Sequence, residues 1–347
     1  MIRTLHSLRF IFIMLVVISH YIGKEFDFGG ECGVSFFFIL SGFVLSYAYS
    51  DKISNGTFNN KSLFARQFKK IYPLHIATFL IMFILDLKLE RYYDIYVIIP
   101  NVLLLQSWFP DDSFYFVANG ASWFLCDILF FYLIFPNVNK FILNNNTRRI
   151  TIYLTVIFLL YIWLIISIPD SLINPILYAN PLTRLLDFSI GIVVYKIYIS
   201  EKCMKFGNNM MTYSPLKVSI IEITLILSIV AIAIAYPMIP QRVRTVSLFW
   251  MIIPVFLLFF AISDKSNGVL SLLLQNKSMV WLGNISFDIY IIHMPVLRIF
   301  NSILSKTGLL ENRTIPHFII FSIILIVLSY YTHIIMNNTK RKRILKR

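Results

Sequence analysis

The chain has few charged residues: Asp, Glu, Lys and Arg make up 14% of its 347 residues, against about 25% in soluble domains. Hydrophobic residues reach 58%, and the mean hydropathy is +0.75. The polar segments between the apolar runs are too short to form a soluble domain. The composition therefore excludes an ordinary soluble enzyme and predicts an all-α, polytopic membrane protein.

Cysteine is also scarce, with three residues at the distant positions Cys32, Cys126 and Cys203. An odd, scattered set argues against a disulfide framework, and no His/Cys/Asp cluster has the spacing of a metal site.

Acidic residues number 17 against 31 Lys and Arg, a formal net charge of +14. The basic excess lies in short loops and in the tail 337–347, which is typical of a cytoplasmic membrane face rather than of nucleic-acid binding.

Apolar runs long enough to cross a bilayer recur from end to end. Ten are predicted as spans, because the positive-inside rule then places the basic loops and both termini in the cytoplasm. These runs lie at about 8–23, 32–50, 71–87, 121–136, 149–168, 183–199, 218–236, 246–262, 284–304 and 316–336. We expect a single integral-membrane domain over 1–347, with no appended soluble domain and with 337–347 as a basic cytoplasmic tail.

There is an eleventh apolar run at 95–108. Whether it crosses the membrane decides the orientation of the first third of the chain. Its 14 residues contain Pro100, Asn101 and Gln106. Such a helix reaches only about 21 Å, against about 30 Å of hydrocarbon. We interpret it as re-entrant or interfacial. Eleven spans with an outside N-terminus remain the alternative.

Ionisable residues inside apolar runs indicate function, because they are costly in a membrane. His20 lies in the first span, and a neutral imidazole is a common general base. Asp127 and Asp187 lie in later spans, as members of a catalytic group or as structural partners. A basic cluster precedes the third span, either an ordinary cytoplasmic loop or a phosphate site: Arg66, Lys69 and Lys70.

The order of these motifs resembles the integral-membrane acyltransferase-three family, bacterial enzymes that acylate sugars and other acceptors. The matching elements are LRFIFIMLVVISH at 8–20, GVSFFFILSGF at 33–43, RQFKKIYPLH at 66–75, WFLCDILFFYLIFP at 123–136, RLLDFSIG at 184–191 and LGNISFDIYIIHMP at 282–295. Two positions depart from many relatives. Gln67 and Lys70 stand where two arginines are usual, and Ile128 stands where a glutamate is usual.

The resemblance implies a membrane O-acyltransferase of the bacterial inner membrane. It would move an acetyl group from acetyl-CoA to a hydroxyl of a cell-surface or lipid-linked glycan, with no metal. His20 would act as general base or carry the acyl group, with Asp127 and Asp187 assisting. Arg66, Lys69, Lys70 and Tyr72 would bind the donor, and Ser41, Trp123 and His293 the acceptor. The alternative is a polytopic flippase or transporter of glycan intermediates.

Overall fold

Apolar runs with few helix breakers become helices, because in lipid each segment must satisfy its own backbone hydrogen bonds. The structure, a computed structural model, describes residues 1–23, 28–245, 247–310 and 314–344, with side chains of the last helix to 337, and these ranges contain no strand. Their α-helices are α1 Arg3–Ile22, α2 Phe28–Ser54, α3 Asn60–Leu87, α4 Ile95–Leu103, α5 Asp112–Tyr115, α6 Trp123–Asn144, α7 Thr147–Ser167, α8 Pro181–Tyr198, α9 Glu201–Thr212, α10 Pro215–Ala235, α11 Gln241–Arg244, α12 Ile252–Ile262, α13 Val269–Gln275, α14 Lys277–Asn284, α15 Ser286–Lys306 and α16 Ile315–Ile344.

Eight helices of the described ranges are long and apolar enough to cross a membrane: α1, α2, α3, α6, α7, α10, α15 and α16. In α2, 67% of the apolar window is buried, whereas in α7 only 11% is, so α2 lies at the centre and α7 at the periphery. The protein is therefore an all-α, multi-pass membrane protein, as its composition predicts.

The helices α8 and α12 coincide with the two remaining predicted spans. With 18 and 11 residues, they are shorter than most spanning helices. Because α8 packs along α2 and α6 inside the bundle, its charged residues face protein rather than lipid. The count of ten spans and the cytoplasmic termini stay predictions. The backbone of the predicted tail 337–347 is described to residue 344, and its side chains beyond 337 lie outside the described residues.

The run at 95–108 does not form one continuous helix. The helix α4 has 9 residues, and Leu104 ends it with a φ of 57°. Nine residues reach about 14 Å, less than half the hydrocarbon thickness. Buried polar contacts hold α4 beside α3, where the Asn101 carbonyl lies 3.0 Å from His75 Nε2. This geometry favours a segment that does not cross.

Two glycines allow α2 and α8 to approach at backbone distance. A Cβ added at Gly42 of α2 would clash with the carbonyl oxygen of Phe188, and one added at Gly191 of α8 would clash with that of Ile39. Small residues at such a crossing are typical of membrane helix pairs, which rely on close packing instead of the hydrophobic effect. Two of the recognised sequence elements, SGF and RLLDFSIG, therefore meet in the same contact.

The substitution Gly191→Ala is expected to destabilise the bundle, because neither backbone at the crossing has room for the added methyl group. Overpacking of this kind costs about 1–3 kcal/mol, so the thermal midpoint in detergent should fall by several degrees. Ala231→Val adds comparable volume on the exposed face of α10 and serves as the control. An unchanged midpoint in the glycine variant would contradict the described contact.

Candidate active site

The first helix carries His20 to the edge of a large cavity. Its other end is anchored by buried hydroxyls, since Thr4 Oγ1 donates to the Phe260 carbonyl at 2.6 Å. His20 lies in the last turn of α1, eleven residues beyond Arg9, or about 16 Å along the helix. Its side chain is exposed to a cavity of about 620 Å³. The residues around this space come from α1, α2, α3, α6, α15 and the loops that join helices at that end of the bundle.

His293 of α15 lies beside His20. The distance from His293 Nε2 to His20 Nδ1 is 3.1 Å, and His293 is fully buried. On its other side, His293 Nδ1 contacts the backbone carbonyl of Tyr290. Two rings 273 residues apart in sequence thus form one hydrogen-bonded pair at the cavity wall.

The Tyr290 carbonyl determines where the protons of this pair lie. A carbonyl oxygen only accepts, so His293 Nδ1 must carry its proton, and Nε2 of the neutral ring is then an acceptor. His20 Nδ1 donates to that acceptor. This leaves Nε2 of His20 without a proton, and a ring nitrogen in this state accepts a proton or attacks a carbonyl carbon.

A proline helps to hold His293 in place. Pro295 has no N–H, so the Ile291 carbonyl one turn earlier loses its helical donor. Asn119 supplies the missing donor from the loop before α6, at 3.0 Å, and the same amide nitrogen lies 2.9 Å from Thr78 Oγ1. The break in α15 is thereby connected to α3 and to the loop before α6, within one turn of His293.

Aromatic side chains line much of the cavity. Trp123 and Tyr178 face each other with ring centroids 4.8 Å apart, and both line the space next to His20. Phe116 and Tyr236 add further aromatic lining from the loops. Faces of this kind suit sugar rings, which present C–H groups on one side and hydroxyls at the edge.

A second pocket of about 100 Å³ opens towards the other end of the bundle. It is lined by Arg9, Lys70 and Gln67, with Phe287 and Tyr132 nearby. Among the described residues Arg9 has no hydrogen bond or ion pair. A pair of cations here matches the phosphates of a nucleotide-bearing donor.

One side chain separates the two spaces. Tyr290 lines both, and its hydroxyl donates to the Ala121 carbonyl at 2.7 Å. The ring of Phe124 packs against it, with centroids 5.2 Å apart. The Tyr290 ring is therefore part of the wall between the two spaces.

The residues predicted to bind a donor lie at the end of the bundle that carries Arg9, but they do not all line the small pocket. Lys70 lines the small pocket, and its ammonium lies 5.4 Å from the Phe287 ring. Arg66 instead donates to the Tyr49 hydroxyl at 2.8 Å, and Tyr72 stacks on a neighbouring phenylalanine. Lys69 is exposed and lines neither space.

The predicted acceptor residues divide between the two spaces. Trp123 lines the large cavity, whereas Ser41 lines the small pocket and donates to the Phe37 carbonyl at 2.7 Å. His293 contacts His20 and does not itself line the cavity. Its place is behind the imidazole, so we propose that it orients His20 instead of binding the acceptor.

The two predicted catalytic carboxylates are not brought to His20. Asp187 forms a buried ion pair with Arg184 Nη1 at 2.9 Å, and Arg184 Nε donates to the Tyr178 carbonyl at 2.6 Å. The pair therefore supports the cavity wall that carries Tyr178. Asp127 is fully buried, and neither of its oxygens accepts a hydrogen bond from a described residue. Neither carboxylate lines the cavity or the small pocket.

Sequence reasoning missed several residues of this site. Tyr290 gave no signal, because a tyrosine in an apolar run is ordinary. Asp86 and Arg298 are single charges within apolar helices, and such charges usually have a partner. Their pairing across the bundle joins positions 212 residues apart, which one sequence does not show. In the described part of the chain, no group of three His, Cys, Asp or Glu side chains is arranged to hold a metal ion.

Comparison with known proteins identifies the family to which this chain belongs. The sequence profile of the acyltransferase-three family, described as an acyltransferase domain, matches residues 2–334. The chain belongs to this family. It is 29% identical over 291 residues to acyltransferase MdmB of Streptomyces mycarofaciens, which covers 78% of this chain and 68% of that protein. No solved structure matches significantly. The protein is thus an acyltransferase, and His20 and His293 belong to elements that carried the resemblance.

The hydrogen bond between the histidines predicts different results for two substitutions of His293. His293→Leu removes the acceptor for His20 Nδ1, so acyl transfer should fall about 100-fold, part of the ~10²–10⁴-fold that a positioned base contributes. His293→Gln retains an acceptor oxygen and should keep most of the activity. Turnover of an acyl donor measures the effect, with thermal stability as the control for folding. Equal loss in both variants would show that the acceptor at His293 has no role.

Proposed function

We propose that this protein is a membrane O-acyltransferase of the bacterial inner membrane, which moves an acetyl group from acetyl-CoA to a hydroxyl of a cell-surface or lipid-linked glycan. One observation carries the proposal. The unprotonated nitrogen of His20 faces a large aromatic-lined cavity, and a small cationic pocket lies behind Tyr290. Two spaces that share the Tyr290 wall, one of them lined by His20, suit a reaction with two substrates.

The small pocket is the proposed donor side. Arg9 and Lys70 would pair with phosphates of the donor, with Arg66, Lys69 and Tyr72 at the surrounding surface. The acyl arm would extend past Tyr290 towards His20, about 16 Å along α1 from Arg9. In many relatives a second arginine stands where Lys70 does. In this chain the ammonium group of Lys70 supplies positive charge there without the paired N–H donors of a guanidinium.

His20 acts by one of two routes. As a general base, Nε2 takes the proton of the acceptor hydroxyl while its oxygen attacks the thioester carbon and the carbon–sulfur bond breaks. The proton then passes to the sulfur. In the covalent route, Nε2 attacks the thioester carbon, the carbon–sulfur bond breaks and the thiolate leaves. His293 Nε2 accepts the Nδ1 proton of the acylated ring, because it already accepts that hydrogen bond, and this proton passes to the thiolate. The hydroxyl oxygen then attacks the acyl carbon, the carbon–nitrogen bond breaks, and the hydroxyl proton returns through His293 to His20 Nδ1.

Donor turnover tests the proposal directly. The purified protein is incubated with labelled acetyl-CoA and a glycan extract, and label is sought on glycan and on the protein. Wild type should transfer label, and His20→Ala should lose at least 100-fold of the rate while it remains folded. A flippase or transporter would move glycan without forming a labelled product. Wild-type rates in a folded His20→Ala protein would overturn the role of His20, and the absence of any labelled product from the wild type would overturn the function.

The donor pocket predicts an effect on donor binding. Arg9→Ala removes a cation from the small pocket, so KM for acetyl-CoA should rise about 10-fold or more, the contribution of one charge-assisted hydrogen bond. Lys61→Ala, which removes an exposed charge near the start of α3, is the matched control. Steady-state kinetics with varied acetyl-CoA measures both. Equal KM values in the two variants would place the donor elsewhere.

A further inference from the structure

The large cavity has more positive than negative side chains in its wall. Of the described lining residues other than His20, three are arginines and two are carboxylates: Arg91, Arg244, Arg298, Glu31 and Asp86. Groups of this kind are costly to desolvate, so their arrangement indicates what the cavity accommodates. This excess of cations in the space that His20 lines is separate from Arg9 and Lys70 of the small pocket.

Asp86 is already satisfied by its neighbours. It is 1% exposed and forms an ion pair with Arg298, and it accepts a hydrogen bond from the Tyr93 hydroxyl at 2.9 Å. Burial and the adjacent carboxylate raise the pKa of the Tyr93 phenol, so the hydroxyl stays protonated and donates. The charge of Arg298 is thereby compensated, and this pair contributes no net charge to the cavity.

The guanidinium of Arg244 is not compensated in the same way. It lies over the Tyr236 ring at 4.4 Å, and its one described hydrogen bond is a 3.5 Å contact with the Tyr236 carbonyl. Its Nε atom is buried without a partner among the described residues. A buried donor without an acceptor is unfavourable, and a ligand oxygen in the cavity would remove that cost.

Arg91 adds a second cation at the mouth of the same cavity. Its side chain is 65% exposed, and its nearest described carboxylate oxygen, on Asp86, is 4.0 Å away. That carboxylate is shared with the closer Arg298. Arg91 is therefore free to meet an incoming anion, while Arg244 lies deeper in the wall.

We propose that the acceptor carries an oxyanion, a carboxylate or a phosphate, next to the hydroxyl that is acylated. Arginine binds such groups through two parallel N–H donors, which fixes both position and orientation. Arg244, assisted by Arg91, holds the anion, and the hydroxyl then points towards His20. This inference rests on the proposed function and names the chemical class of its acceptor.

The test separates the acceptor class from the enzymatic activity. Purified protein is given labelled acetyl-CoA and a glycan and lipid extract of cells that make it. Unreacted acetyl-CoA is removed, and the products are then passed over an anion exchanger. Label retained on the resin supports an anionic acceptor, and label on a neutral product overturns it. Phosphatase treatment that releases retained label identifies phosphate, and resistance to it identifies carboxylate. Failure to consume acetyl-CoA at all would instead overturn the proposed function.

Two variants link the anion to the cavity. Arg244→Gln should lower kcat/KM for the retained acceptor about 10- to 100-fold through KM. Lys306→Gln removes an exposed charge from the last turn of α15 and is the matched control. Equal acceptor KM values in the two folded variants would overturn the assignment of Arg244.

Discussion

The hydrogen bond between His20 and His293 is the constraint on which the site depends. It joins the first helix to α15 and fixes which nitrogen of His20 is left to react. A neutral imidazole has two tautomers, and only one presents an unprotonated Nε2 to the cavity. The backbone carbonyl of Tyr290, and not a carboxylate, determines which tautomer is present. This choice keeps a fixed negative charge away from the proposed site of acyl transfer.

The remaining sequence elements act as supports for that pair. Pro295 and Asn119 hold α15 at the level of His293, and the ion pair of Arg184 and Asp187 holds the wall that carries Tyr178. Gly42 and Gly191 bring α2 and α8 together, which positions the same wall. Several residues with the appearance of catalytic groups thus serve to build the cavity, because charges inside a membrane protein need partners before they have any other role.

The sequence was sufficient for the fold class, and it drew attention to His20, which lines the large cavity. Long apolar runs predict helices directly, and a histidine in the first run is conspicuous because so few ionisable residues lie there. The shortness of the run at 95–108 predicted a segment that does not cross, but it did not predict that the helix ends before Leu104. The partners of each charge could not be predicted, since Asp86 meets Arg298 and His20 meets His293 through packing of distant helices. The surroundings of the basic cluster at Arg66 could not be predicted either. Whether one of its side chains faces a pocket depends on the angular position of that residue around the axis of α3.

The protonation state of the two His20 nitrogens tests the central claim most directly. Protein labelled with ¹⁵N at histidine is compared with a His20→Asn variant by nuclear magnetic resonance, so that the His20 signals are assigned by their loss. The account predicts a protonated Nδ1 and an unprotonated Nε2 near neutral pH. The opposite tautomer, with the proton on Nε2, would contradict it.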